Sequence, residues 1–415
     1  MTMQNKSNRR RLLQSSAILA TGGLLASNGR AVDAAEGDRS NLKITAVKSY
    51  LLKTKLKKPF GVSISVPYDT TREALLVKIE TNQGLVGWGE TSPINGARGT
   101  IDKHIGPRLI GKNPMHRRRL WRSMWGPNFG NALAVGALDI ALDDIRGKAL
   151  NMPVAELYGG RLRDRVPVYA SAMNYVKGEK PEIFFPRQAE SLAKKGYKAL
   201  KMRIGRYSVN REAPIAASIR KAVGKDVLLM ADGNAAYTMR SALRMGDALH
   251  KLDFEAFEEP MPQSPKYAGY EELRKKLPLS LAGGEALDSR ATAKDLLDRR
   301  CFDIIQPDIS LCGGIGEALF ISEMAALSGI RCYPHCWGAA IVIAATIHLI
   351  SILPDPHGGF ATDTPLLELD QSENPWRRGI VSNPFDIGRD GMIKVPEGPG
   401  LGIEVDEKIV RRYAV

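Results

Sequence analysis

Cysteine is scarce in this chain: Cys301, Cys312, Cys332 and Cys336 all lie in the last third, and none stands at metal-finger spacing. Such thiols are expected to be buried and free. Long apolar runs are missing too. Beyond the N-terminus nothing approaches the roughly 18 uninterrupted apolar residues of a membrane-spanning helix, and the most apolar run, Ile341 to Ile352, fits a buried helix. There is no Walker A loop and no Gly-x-Ser-x-Gly elbow, and Gly314-x-Gly316 lacks the third glycine of a dinucleotide fingerprint. Phosphate-loop, nicotinamide and serine-hydrolase chemistry are excluded on these grounds. Basic runs interleaved with aromatics are also absent. The short cluster Arg117-Arg118-Arg119 reads as a solvated helix face, so no nucleic-acid partner is expected despite a net charge of +14.

What remains is an ordinary enzyme composition, with 44% hydrophobic and 25% charged residues in a chain of 415. That length suits two domains or one large barrel with additions. The N-terminus carries Asn8-Arg9-Arg10-Arg11-Leu12-Leu13-Gln14, an apolar stretch from Ala17 to Ala26, and small residues around Ala31 to Ala35. A basic region, a short apolar segment and a small-residue cleavage site predict a secretory signal over residues 1–35. The paired arginines resemble the twin-arginine export signal, which implies a periplasmic protein.

From Asn41 the pattern alternates as strands, Leu42 to Leu52, Glu73 to Glu80 and Leu85 to Thr91, and then turns helical over Asn131 to Ala149. Residues 41–160 therefore read as an α+β domain. After Gly159-Gly160 short apolar strands alternate with amphipathic helices at the period of a (β/α) barrel. The expected strands are Val166–Ser171, Lys198–Ile204, Val227–Ala231, Phe254–Glu258, Leu279–Gly283, Phe302–Gln306 and Arg331–Pro334. A doubly wound sheet is the alternative that periodicity alone allows.

Barrel enzymes place their chemistry at the C-terminal ends of the strands. Here those ends carry Lys201-Met202-Arg203, Asp232, Glu258, Glu285, Asp308 and His335, one polar group per βα unit. Three carboxylates converging above a barrel repel one another unless a cation lies between them, and hard oxygen ligands suit Mg2+. Asp308, one unit before His335, is placed to hold an imidazole tautomer and raise its basicity, which makes His335 the candidate general base.

The set resembles the enolase superfamily, specifically its mandelate-racemase-like subgroup. The resemblance extends from Leu42 to Val415 and includes Gly87-Trp88-Gly89-Glu90, Ala137-Leu138-Asp139-Ile140-Ala141 and Pro396-Glu397-Gly398-Pro399-Gly400-Leu401-Gly402. It implies a (β/α)7β modified TIM barrel over residues 161–365, capped by the α+β domain of residues 41–160. A C-terminal segment, 366–415, would complete both. It further implies Asp232, Glu258 and Glu285 as Mg2+ ligands, Asp308 and His335 as a base dyad, Lys201 as a cation beside the substrate carboxylate, and a homo-oligomer. The shared step is removal of the proton α to a carboxylate, which Mg2+ assists by stabilising the charge that develops.

Two departures narrow the reaction. Where relatives of the muconate-lactonizing branch carry a lysine before the Gly-Gly pair, this chain has Leu311 before Gly313-Gly314. Where many relatives have Lys-x-Lys, it has Lys201-Met202-Arg203, and arginine is a poor proton acceptor. Elimination from one face is therefore expected: a dehydratase for a sugar acid, aldonate or aldarate. A galactarolactone-type cycloisomerase or an epimerase is the alternative, and an exported acid-sugar-binding protein is the alternative outside enzymes. Asn234 and Tyr169 are further candidates for the substrate or its leaving group. Glu368, with Asp363 as the alternative, is the candidate last strand-end acid.

Overall fold

The computed structural model describes residues 39–126, 131–355 and 364–415, so the signal expected over residues 1–35 lies outside the described residues, as does Asp363. Residues 38–415 form one compact unit. It opens with three antiparallel strands, β1 (Ile44–Gly61), β2 (Asp69–Thr81) and β3 (Val86–Thr91). β1 runs well past its expected end because its ladder with β2 continues to Phe60 opposite Asp69, after a register shift beyond Lys55. Only residues 62–68 are left as the connecting loop.

The helix Ala132–Leu150 packs on β3 and β2, and the packing explains two of the sequence motifs at once. A Cβ on Gly89 would overlap the carbonyl oxygen of Ala137, and one on Gly87 that of Ala141. The two glycines are what let the hairpin lie against the helix backbone. Asp144 of that helix then accepts from Trp88 N (3.0 Å) and Leu401 N (2.9 Å), tying the C-terminal tail to the same junction.

The barrel begins at β4 (Arg165–Ser171), after which a short β5 (Tyr175–Val176) joins β1 at the cap edge. It continues through β6 (Ala199–Arg203), β7 (Leu228–Asp232), β8 (Ala256–Glu258), β9 (Ser280–Gly283), β10 (Ile304–Ile305), β11 (Arg331–Cys332) and β12 (Leu367–Asp370), all parallel with β4. The last strand, β13 (Met392–Lys394), pairs antiparallel with β4. Among the described residues seven helices separate the eight parallel strands in turn, and β12 returns beside β4. This is the (β/α)7β modified barrel with an α+β cap. The chain's last helix, Glu407–Tyr413, packs on β1, so the C-terminus supports the cap.

One local expectation is corrected. Arg117 is not part of a solvated face: it reaches Asp139 (2.9 Å) and Asp143 (3.4 Å), buried carboxylates of the capping helix. Two acids that burial would otherwise strand need a cation, and Arg117 supplies it. The cysteines are buried and free, as expected. Among the described residues no helix is long and apolar enough to cross a membrane.

The apolar run forms the helix Ala340–Ile352, buried along its whole length. Its His348 bonds through Nε2 to the Leu401 carbonyl (3.2 Å), and burial lowers its pKa from 6.5 to about 4. The folded imidazole therefore stays neutral over a range in which the unfolded one takes a proton. Its contribution to stability is complete above pH 6.5 and is lost as pH falls towards 4, roughly 3 kcal/mol in all. Denaturant titrations at pH 7.5 and pH 4.5 check this: His348→Gln should lose visibly less stability on acidification than the native chain. An equal loss in both would remove His348 as the cause.

Candidate active site

The strand ends meet as a buried ion network. Lys201 on β6 is wholly buried, with its Nζ 2.7 Å from Glu258, 2.9 Å from Glu368 and 3.5 Å from Asp232. Arg203, two residues on along the same face of β6, pairs with Asp232 and donates to Ser171 Oγ (3.4 Å). Gln306 donates to the second Glu258 oxygen (2.8 Å). Burial favours the neutral acid at Glu258 and raises its pKa, with Asp232, Glu368 and Glu285 adding to the rise against the pull of Lys201. Glu368 moves the other way: burial is outweighed by Lys201, His335 and Arg203, which hold it well below the usual carboxylate range. Lys201 and Arg203 are correspondingly held in their charged forms despite burial.

At the far side of the strand ends His335 Nδ1 lies 2.7 Å from Asp308 Oδ2, and Ser310 fixes the other Asp308 oxygen through its backbone N–H and its hydroxyl, both at 2.7 Å. Nδ1 thus carries the proton shared with Asp308, and Nε2 is left facing Glu285 Oε2 at 3.4 Å. Burial would lower the imidazole pKa, but the Glu285 charge, the Asp308 bond and the Glu368 charge outweigh it and lift the ring to about 10. A cation held by Glu285 would cancel the largest of those raising charges and bring the ring back towards the range in which it accepts a proton.

Above this network opens a cavity of about 500 Å³ bounded by both cap and barrel. Of the residues singled out from the sequence, Arg203, Asn234, Glu285, Asp308 and His335 line it. Asn234 takes a left-handed backbone (φ 44°), its N–H donating to Asp232 (2.9 Å) and its carbonyl accepting from Ser63 of the cap loop (3.0 Å). Lys201, Asp232, Glu258 and Glu368 form the layer beneath. Tyr169 is a correction: it is wholly buried in the barrel interior with Met230, Ile304 and Tyr333, its ring 5.4 Å from Lys201 Nζ, and it does not line the cavity. Its position on β4, one layer below the strand end, is the reason.

Sequence reasoning missed several groups that the fold brings to this cavity. Arg72 of β2 pairs with Asp370 (3.0 Å) at the end of β12 and lies over the Trp337 ring (4.7 Å), which Arg203 also approaches (5.2 Å). Glu90 of β3 accepts from the backbone N–H groups of Ala339 and Val342 at the start of the Ala340–Ile352 helix. Trp337 lines the cavity two residues after His335, in the loop beyond β11, and that nearness in sequence was the available signal; Gln306, just past β10, lies instead against Glu258 in the layer beneath.

Residues 185–409 match the family described as enolase C-terminal domain-like, and residues 46–159 the N-terminal domain of mandelate racemase and muconate lactonizing enzyme. The chain belongs to the enolase superfamily. Within it, the chain is 33% identical over 386 residues to D-galactarolactone cycloisomerase of Agrobacterium fabrum, covering 90% of this chain and 99% of that one. It is 30% identical to arabinonate dehydratase of Saccharolobus solfataricus, covering 82% and 90%. Among solved structures it is similar to 3,6-anhydro-D-galactonate cycloisomerase from Zobellia galactanivorans, with a TM-score of 0.79, 33% identity and coverage of 90% and 99%.

Members of the enolase superfamily are generally Mg2+-dependent. Among the described residues no three acids, imidazoles or thiols already stand together as a metal cage. Asp232 and Glu258 are bonded to Arg203 and Lys201 instead. The chemistry of the donor set nevertheless fits a hard divalent cation. Asp232, Glu258 and Glu285 offer only carboxylate oxygens from three successive strand ends. Burial pushes the acids of Glu258 and Glu285 towards neutrality, and neighbouring carboxylates add to the push on both. A bound cation removes that penalty.

Proposed function

We propose that this protein is a Mg2+-dependent enzyme that removes the proton α to the carboxylate of an acid sugar and then eliminates the β-oxygen, a hydro-lyase acting as an acid-sugar dehydratase. Asp232, Glu258 and Glu285 would hold the Mg2+, which supplies charge stabilisation for the enediolate that forms as the proton leaves. His335 takes that proton at Nε2, the nitrogen not engaged by Asp308, while Asp308 holds the ring and stabilises its charged form. Arg203, on the cavity wall, orients the carboxylate end of the substrate. Lys201 and Glu368 act from beneath by fixing the charge and position of the carboxylates they touch.

The observation that carries this reading is the one-sidedness of the site. Among the described residues lining the cavity, His335 is the one imidazole and Asp308 holds it, and the opposite wall presents Arg203, which stays protonated. Elimination needs one base, whereas racemisation needs a competent group on each face. His335 can return its proton to the departing oxygen. The test is to screen acid sugars and their lactones for 2-keto-3-deoxy products with Mg2+ present. Formation of a substrate stereoisomer, with both faces exchanging deuterium, would replace this reading by epimerisation.

A cycloisomerase is the second reading, favoured by the 33% identity across nearly the whole of both chains to D-galactarolactone cycloisomerase of Agrobacterium fabrum. It starts with the same proton removal, but the leaving oxygen belongs to a ring and stays in the product.

We also propose export through the twin-arginine route, supported by Arg9-Arg10 ahead of the apolar Ala17 to Ala26 stretch. Replacing both arginines by lysine should leave full-length precursor in the cytoplasm. Native protein found uncleaved in the cytosol would overturn this.

A further inference from the structure

Resting on the reading of His335 as the base, we infer that Glu90 and Thr91, the last two residues of cap strand β3, are positioning residues for the base dyad. Thr91 holds the turn that carries Asp308, and Glu90 holds the loop that follows His335. The cap thus sets the geometry of proton removal as well as closing the cavity.

Both members of the dyad stand where the barrel holds them least. β10 and β11 are two residues long, and Asp308 and His335 each come three residues after the end of their strand. A strand ladder fixes the backbone it pairs and little beyond it, whereas a reacting side chain has to be held to within about 0.5 Å.

The missing restraint comes from β3. Thr91 Oγ1 donates to the Ser310 carbonyl (2.9 Å), and Ser310 donates its N–H and its hydroxyl to one Asp308 oxygen, leaving the other for His335 Nδ1. Thr91, Ser310 and Asp308 are all buried, so these bonds form with little competition from water. The capping helix backs the same carbonyl. A Cβ on Gly136 would stand 2.6 Å from the Ser310 oxygen, so glycine is what lets the helix come so close.

The neighbouring side chain holds the other loop. Glu90 accepts from the N–H groups of Ala339 and of Val342 (3.0 Å). A Cβ on Gly338 would stand 2.6 Å from the Glu90 carboxylate, so this loop is also packed against the cap without a side chain between them. Successive residues of a strand point to opposite faces, which is how Glu90 and Thr91 reach two different loops and tie their separation to one rigid element.

The test uses the full chain loaded with Mg2+, first without substrate. Protein labelled with 15N-histidine should show the His335 Nδ1 proton as a downfield signal, assigned by its disappearance in His335→Asn. Thr91→Val, which keeps the shape and removes the hydroxyl, should move that signal upfield and broaden it, and Thr91→Ser should restore it. With the acid sugar turned over in the product screen, Thr91→Val should lower kcat roughly tenfold or more, the cost of a base held slightly out of place. KM should change less than about twofold, and α-proton exchange with D2O should fall in step with kcat. Because Thr91 acts through Asp308, the same substitution in an Asp308→Asn background should cost less than about threefold. Glu90→Gln, which keeps one acceptor oxygen, should give a smaller fall of the same kind. Should Thr91→Val fail to fold, Thr91→Ala and Glu90→Gln carry the same measurements.

An unchanged histidine signal, or a fall in kcat equally large in the Asp308→Asn background, overturns the inference. A rise in KM alone makes Thr91 a substrate contact and overturns it too. The base reading fails separately: His335→Asn would then still exchange the α-proton, while the histidine signal would still report whether Thr91 orders the dyad.

Discussion

His335→Asn should abolish turnover and, with it, exchange of the substrate α-proton with D2O. A general base contributes roughly 10²–10⁴-fold, and here no other group on that wall can substitute, so the loss should reach or exceed the upper end of that range. The variant keeps a hydrogen-bonding side chain beside Asp308, so the fold and the layer of Lys201, Glu258 and Glu368 should survive. Asp308→Asn should lower turnover less, by weakening the basicity and orientation of the ring while leaving metal binding in place. Arg203→Lys is the companion measurement. It should leave elimination possible, and any epimerisation it introduces would come from a group on the opposite face that can lose a proton. If His335→Asn still exchanges the α-proton at the native rate, the base is elsewhere. Lys201, buried among Glu258 and Glu368, would then be the first residue to test.

Removing the metal should have an effect as large. Excess chelator should reduce activity to background, and Mg2+ or Mn2+ should restore it. Glu258→Gln should lose metal binding, measured by titration calorimetry, while circular dichroism shows the fold intact, since the barrel core is apolar and lies below this layer. The variant also deprives Lys201 of one of its three carboxylates, so some loss of thermal stability is expected alongside. Full activity in excess chelator would remove the metal from the mechanism.

The barrel and the identity of its strand-end groups were legible in the sequence because both are local. A short apolar strand followed by one polar residue, repeated at the βα period, needs no knowledge of distant contacts, and Asp232, Glu258, Glu285, Asp308 and His335 all stand at strand ends or in the turns just beyond. The glycines of Gly87-Trp88-Gly89 contributed only to the family resemblance in the sequence, and the close approach they allow to the backbone at Ala137 and Ala141 did not show until the helix was in place. Depth and partnership were decided only by the tertiary structure. Tyr169 and Lys201 both sit on barrel strands with polar tips, yet burial puts Tyr169 in the interior layer and surrounds Lys201 with three acids. Arg117 resembled its solvated neighbours until Asp139 and Asp143 were found buried within its reach. The cap's contribution was hidden for the same reason. Arg72 and Asp370 are separated by nearly the whole barrel in sequence, and only the return of β12 beside β4 and the seating of the cap bring them to 3.0 Å. Periodicity reports which face a residue occupies, whereas the charge it meets there depends on chain segments hundreds of residues away.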